Sequence, residues 1–239
     1  REFCNLTEIV VRNDDTIESL ENKVRLATIL GTWQSTLTDF RYLSSEWKKN
    51  CEEERLLGVS MSGIMDSSLT NGKKKGLEER LEQFKTVAIK TNYELSKKIG
   101  INSSVAITCV KPSGTVSQLV NAASGIHARH NPYYCRTVRA DIKDPLCQFM
   151  MDKGFPAEPD VMKPEHTVVF SFPIKSPNNS ICRKDMTAIE QLELWKIYQN
   201  SWCEHKPSIT VTVREEEWFE VGSWVYNNFN NVCGVSFLP

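Results

Sequence analysis

The sequence predicts an α/β fold, and three observations carry that prediction. Short β-branched apolar runs alternate with segments of helical period along the chain. Glycine, proline and polar clusters stand at the junctions between them. The length of 239 residues suits a single α/β domain, so one unit over residues 1–239 is expected.

In chain order, "FCNLTEIVV" (3–11) reads as a strand and "DDTIESLENKVRLATIL" (14–30) as a helix with an acidic, capped start. "LLGVSMSGIM" (56–65) is a buried-strand candidate. The segment that follows, "LEERLEQFKTVAIKTNYELSKKIG", places Leu77, Leu81, Phe84, Ala88, Leu95 and Ile99 on one helical face and closes on Gly100. "SSVAITCV" (103–110), "YYCRTVRA" (133–140) and "HTVVFSFPI" (166–174) read as strands. A helix over 185–202, a strand over 208–213, a helix over 214–229 and a last strand over 233–237 complete the alternation. Strands inside and helices outside make a barrel or wound sheet, in which binding groups gather at strand ends.

Composition narrows the function. The 29 basic and 30 acidic residues give a net charge of −1, so no global field draws in a nucleic acid, and no apolar stretch approaches the ~20 residues of a membrane span. A small-molecule ligand is the expectation, with neither nucleic acid nor membrane as partner. "NGKKKG" (71–76) lacks phosphate-loop spacing and reads as a solvated loop, and the acidic triplets 52–54 and 215–217 as exposed helical starts. Eight scattered cysteines form no Cys-x-x-Cys pair, and His127 and His130 have no third ligand at usable spacing, so no metal site is expected. Sequons at Asn5, Asn102 and Asn178 follow no signal peptide; reduced thiols in the cytoplasm are the default reading.

The chemistry concentrates in "VKPSGTVSQLV" (110–120). Pro112 presets φ ahead of a helix, Ser113 and Thr115 offer hydroxyls, and Gly114 removes side-chain bulk. The first unpaired amides of the helix can then face a phosphate. A plain Ser/Thr cap after a turn explains the same residues. Cys4 is either a small buried hydrophobe or half of a redox pair at a strand end. Residues 126–134 and "EHKPS" (204–208) are candidate pocket walls.

Five ordered stretches, "FCNLTEI", "LLGVSMSGIMDS", "VAITCVKPSGTVSQLVNAASGIHARHNPYYCRTVR", "YQNSWCEHKPSITVTVREEEW" and "VCGVSFLP", resemble ribonucleotide reductase of the adenosylcobalamin-dependent (class II), monomeric, ribonucleoside-triphosphate type. The resemblance implies the second half of a ten-stranded α/β barrel. It implies substrate-phosphate binding by Pro112, Ser113, Gly114 and Thr115, and a reducing role for Cys4. It further implies adenosylcobalamin as cofactor, to which no residue is assigned, a ribonucleoside triphosphate substrate, a thioredoxin-type reductant and production of DNA precursors. The radical-cysteine loop, the second reducing cysteine and the C-terminal relay cysteines match no position here. The expectation is therefore a partial barrel, inactive without an N-terminal companion half. A class I diphosphate reductase and a non-catalytic nucleotide-binding or assembly module are the alternatives.

Overall fold

The computed structural model describes residues 1–239, which fall into two compact units: Arg1–Arg129 with Asn178–Pro239, and His130–Pro177. No helix is long and apolar enough to cross a membrane.

The larger unit begins with β1 (Asn5–Val10), α1 (Ile17–Gln34), α2 (Ser45–Glu54) and β2 (Leu57–Ser62). Thr16 and Ser19 start α1 by exchanging side-chain to backbone hydrogen bonds at 3.1 and 2.9 Å. β1 and β2 pair in parallel, with Leu6 opposite Gly58 and Glu8 opposite Ser60. α3 (Leu77–Ile99) spans the expected helix and stops at Gly100, whose φ of +75° an L side chain rarely adopts. Its buried line differs from the predicted one. Leu77, Leu81, Phe84 and Ala88 are buried, but the line continues through Asn92 and Ser96 while Ile99 is exposed. A helix repeats every 3.6 residues, so a stripe fixed at its start drifts around the cylinder. Asn92 is buried because it is bonded: Nδ2 donates to Thr32 Oγ1 and Ser104 Oγ at 2.9 Å each, and Oδ1 accepts from the Ser104 amide.

The predicted third strand, 103–110, runs extended beside β2 without forming a continuous ladder. Leu57 and Val59 donate to Ala106 and Ile107, and Cys109 donates back to Val59. On its other side Glu204 and His205 donate to Thr108, and Ser208 to Val110, leading into β6 (Ile209–Thr212), which pairs in parallel with β7 (Val235–Leu238). Five extended segments therefore succeed one another: β1, β2, 106–110, β6 and β7. Between them stand α4 (Val116–Leu119), α6 (Ala188–Ser201) and α7 (Trp218–Asn227). Trp195, Tyr198 and Trp202, with Phe84, Leu57 and Ile64, are the largest fully buried side chains and pack α6 and α3 onto these segments.

Lys73–Lys75 form the solvated loop expected, tied down by Arg80, whose guanidinium donates to the Lys74 and Lys75 carbonyls. Glu215–Glu217 open α7 through a short 3-10 turn, but Glu217 is buried rather than exposed; Glu52–Glu54 instead close α2, a helix the periodicity did not reveal.

The smaller unit departs from the expected alternation. The strand predictions hold as β3 (Tyr133–Asp141) and β5 (Thr167–Lys175), with α5 (Pro145–Asp152) and the three-residue β4 (Ala157–Pro159) between them. They pair antiparallel in the order β3-β5-β4. Only one face of this sheet is covered, by a small cluster of Cys147, Val168 and Phe170. Antiparallel pairing tolerates that one-sided burial, which parallel sheets do not.

Candidate phosphate turn and thiol cluster

The turn Lys111–Thr115 leaves the 106–110 segment at the end where β1 and β2 also finish, the end at which open α/β sheets collect ligands. Its first amide, Lys111 N–H, donates to Ser60 Oγ at 3.0 Å. Pro112, Gly114 and Thr115 are exposed and Ser113 is half-buried.

The predicted helix after the turn is shorter than expected. α4 has four residues and ends where Asn121 turns into the left-handed region at φ +48°. Arg12 donates to the Val120 and Asn121 carbonyls at 2.7 and 3.2 Å and so caps that end. One turn of helix carries little macrodipole. What the turn offers instead is a run of exposed main-chain amides, those of Gly114, Thr115 and Val116, with no acceptor in the chain. A Cβ added to Gly114 would meet nothing within 4 Å. The protein itself therefore sets no requirement for glycine there.

Ser113 and Thr115 divide differently from the sequence expectation, in which both offered hydroxyls outward. Ser113 Oγ donates to Glu8 Oε2 at 2.9 Å and accepts from Ser117 N–H at 3.0 Å, while Ser62 Oγ donates to Glu8 Oε1. Its single hydroxyl proton is thus committed to Glu8. Ser113 N–H donates to Ser124 Oγ at 2.8 Å. Thr115 makes no side-chain cap bond, which leaves it as the exposed hydroxyl of the turn. Glu8 and Ser62 belong to strands, inside runs that read as apolar, and so carried no sequence signal beyond a carboxylate and a serine in strand candidates.

The return segment 121–129 is locked by a buried ion pair. Arg129 Nε and Nη2 donate to the two oxygens of Asp66 at 2.9 and 2.8 Å, with the side chains 4% and 2% exposed. Asp66 also accepts from Ala123 N–H, and Arg129 reaches Asn121.

Cys4 immediately precedes β1, at the opposite end of that strand from the turn. The four residues to Glu8 span about 13 Å of extended chain. Cys4 Sγ lies 4.0 Å from His205 Nε2, which donates to the Leu57 carbonyl at 2.7 Å. A Cβ built on Gly58 would sit 3.0 Å from Cys4 Sγ, 3.3 Å from Cys109 Sγ and 2.4 Å from Leu6 Cδ2. The glycine makes room for two sulfurs. Glycine within a strand marks such a close approach, which is the signal that Gly58 offered in sequence. Burial raises the Cys4 thiol, and the Lys111 ammonium partly opposes it while Glu2 adds to it. Cys109 is pushed up to about 12, by burial and then by Cys4, with Lys111 and Ser60 opposing. Lys111, the first residue of the turn, thus acts electrostatically on both sulfurs.

These environments set an order of thiol reactivity, because the thiolate is the nucleophile. Iodoacetamide on the native chain is expected to modify exposed Cys135 first and Cys4 later, and to leave buried Cys109 intact until denaturant is added. Raising the pH from 7.5 to 9.5 accelerates Cys4 while sparing Cys109. Peptide mass mapping over time reads this, and Cys109 outpacing Cys4 would contradict the packing around Gly58.

Of the candidate pocket walls, His205 stands at Cys4, and His127 donates from Nδ1 to Ser124 O while Nε2 accepts from Thr210 N–H. His130, in the smaller unit, packs edge-on against Tyr134.

No protein-family model matches the chain. Among curated proteins, an adenosylcobalamin-dependent ribonucleoside-triphosphate reductase of Euglena gracilis is 28% identical over 242 residues, covering 100% of this chain and 32% of that protein. The enzyme of the same name from Lactobacillus gasseri is 28% identical over 220 residues, covering 80% of this chain and 29% of its own length. Among solved structures, a crystal structure of a B12-dependent (class II) ribonucleotide reductase superposes with a TM-score of 0.82 at 25% identity, over 100% of this chain and 37% of that one. The chain spans about a third of the length of the proteins it matches. In sequence and in fold, it is similar to the adenosylcobalamin-dependent (class II) ribonucleotide reductases.

Proposed function

We propose that this chain forms the part of an adenosylcobalamin-dependent ribonucleoside-triphosphate reductase that grips the substrate's phosphates and supplies one reducing thiol. The observation that carries the reading is the exposed turn Pro112–Thr115, with its unaccepted amides, held by Glu8 on the strand that Cys4 precedes. The Gly114, Thr115 and Val116 amides and the Thr115 hydroxyl bind phosphate oxygens. Pro112 fixes the turn, and Ser113 fastens it to Glu8 and Ser124. Charge-assisted bonds from main-chain donors suit such an anion.

In the reaction, the ribose 2′-hydroxyl leaves as water, and two thiols give up two electrons and two protons to become a disulfide. Cys4 is one of those thiols. Its raised pKa keeps the proton on sulfur, where the reduction uses it. The second thiol and the radical cysteine come from outside these 239 residues, and a thioredoxin-type dithiol restores the pair. Eight free cysteines fit a reducing compartment such as the cytoplasm.

The relatives are named as adenosylcobalamin-dependent. No residue of this chain is assigned to that cofactor, and no step above passes through it.

Calorimetric titration of the 239-residue chain with tripolyphosphate and with CTP tests the phosphate reading. Gly114→Val is expected to change stability by no more than about 0.5 kcal/mol, since its side chain meets open space. It is expected to weaken binding at least ten-fold by holding phosphate away from the amides. Absence of binding to the unmodified chain, or equal binding by the variant, would overturn it.

A further inference from the structure

A cavity of about 330 Å³ in the larger unit is lined by His127, Arg183, Lys184, Thr210, Thr212 and Arg214, and shares no residue with the phosphate turn. Its walls follow from local structure. Ile209 and Val211 of β6 are buried in the core, so the alternate residues Thr210 and Thr212 face the other way, into the cavity. Arg183 is held by its own backbone, its amide donating to Arg129 O at 2.8 Å beside the bridge between Arg129 and Cys182. Arg214 leans across, with Nη2 3.5 Å from the Arg183 carbonyl.

The charge balance of this cavity is uneven. No carboxylate lines the cavity, and those nearby accept from neutral groups: Asp185 from the Cys182 amide, Glu190 from Thr187, and Glu217 from the amides of Ala188 and Arg214. Arg214 lies 3.9 Å from Glu217, but Arg183 and Lys184 pair with no carboxylate. His127 adds no charge. Its Nδ1–H is donated to Ser124 O and its Nε2 accepts from Thr210, so the ring is neutral, and burial together with the Arg183 cation holds its pKa below the ordinary value. Two unpaired cations, one a planar guanidinium fork, beside threonine hydroxyls make a phosphate-recognising set. Met186 and Leu238 add an apolar wall that a bare inorganic ion would not use. The volume lies at the small end of the range for organic ligands.

We propose that this cavity binds a phosphorylated small molecule of nucleoside monophosphate size, with the phosphate on Arg183, Lys184 and the β6 threonines and the organic part against Met186 and Leu238. The inference stands apart from the reading of the turn.

The test titrates the 239-residue chain with AMP and, separately, with inorganic phosphate, following the Thr210 and Thr212 amide resonances. AMP is expected to shift both, and inorganic phosphate to shift them with at least ten-fold weaker affinity. The exposed pair Arg183→Gln/Lys184→Gln raises the AMP dissociation constant at least ten-fold, while Gly114→Val leaves it unchanged. In case the double variant misfolds, the unmodified chain is also titrated at 0.5 M salt, where screening weakens AMP binding. No shift at millimolar AMP, an unchanged constant in the double variant, or salt-insensitive binding would overturn the site. Equal affinities for phosphate and AMP would overturn the assignment of the organic part.

Discussion

Arg129→Met lowers the stability of the chain by about 3–5 kcal/mol in urea denaturation, because it leaves Asp66 charged and unpaired in the interior. The two side chains are nearly inaccessible, and their fork-to-carboxylate bonds are the sort that hold only as a pair. Asp66 keeps one donor, the Ala123 amide, which cannot replace a guanidinium. Adding Asp66→Asn to the variant removes the orphaned charge and is expected to recover part of the loss. A double-mutant cycle therefore separates the pair from the packing around it. If Arg129→Met costs under about 1 kcal/mol, the pair is not the lock described. The consequence reaches the turn, since Arg129 holds Asn121, Asp66 holds Ala123, and the adjacent Ser124 carries the hydroxyl that accepts from Ser113.

The elements that sequence revealed are those whose physics is local. α1 shows a capped start and α3 a helical apolar stripe and a glycine stop within their own residues. β3 and β5 were readable as strands, but nothing in either announces an antiparallel partner, because pairing is a long-range choice between segments distant in sequence, as with Tyr133 and Lys175. The candidate site divides the same way. The sequence could place proline, glycine and hydroxyl residues together at 112–115 because they are adjacent. It could not show that Ser113's proton goes to Glu8, 105 positions away, nor that Cys109 shares the space over Gly58 with Cys4. α2 escaped notice because its residues, "SEWKKNCEEE", bury only Cys51 and so carry almost no apolar period.

Trp202→Ala is the second large effect, and its cause is the unusual way the 106–110 segment is held. That segment joins β2 by only a few ladder bonds, and on its other side the chain around 202–205 replaces a neighbouring strand with a mixture of main-chain and side-chain bonds. Trp202 Nε1 donates to Cys109 O at 2.8 Å, the Trp202 carbonyl accepts from Thr108 Oγ1, and Glu204 Oε2 accepts from the Ile107 amide at 2.9 Å. The indole is fully buried. Truncation is expected to cost about 3–5 kcal/mol through the void left in the core. The abandoned Cys109 carbonyl adds about 1 kcal/mol or more. Trp202→Phe fills most of the space without the N–H, so its smaller loss isolates the hydrogen bond. Because Cys109 is two residues from Lys111, the same slackening should appear as faster amide exchange at Cys109 and Lys111 and weaker tripolyphosphate binding in the alanine variant. Full stability with unchanged exchange at those two amides would mean that the strand is held from elsewhere, and the rigid approach to the turn would lose its physical cause.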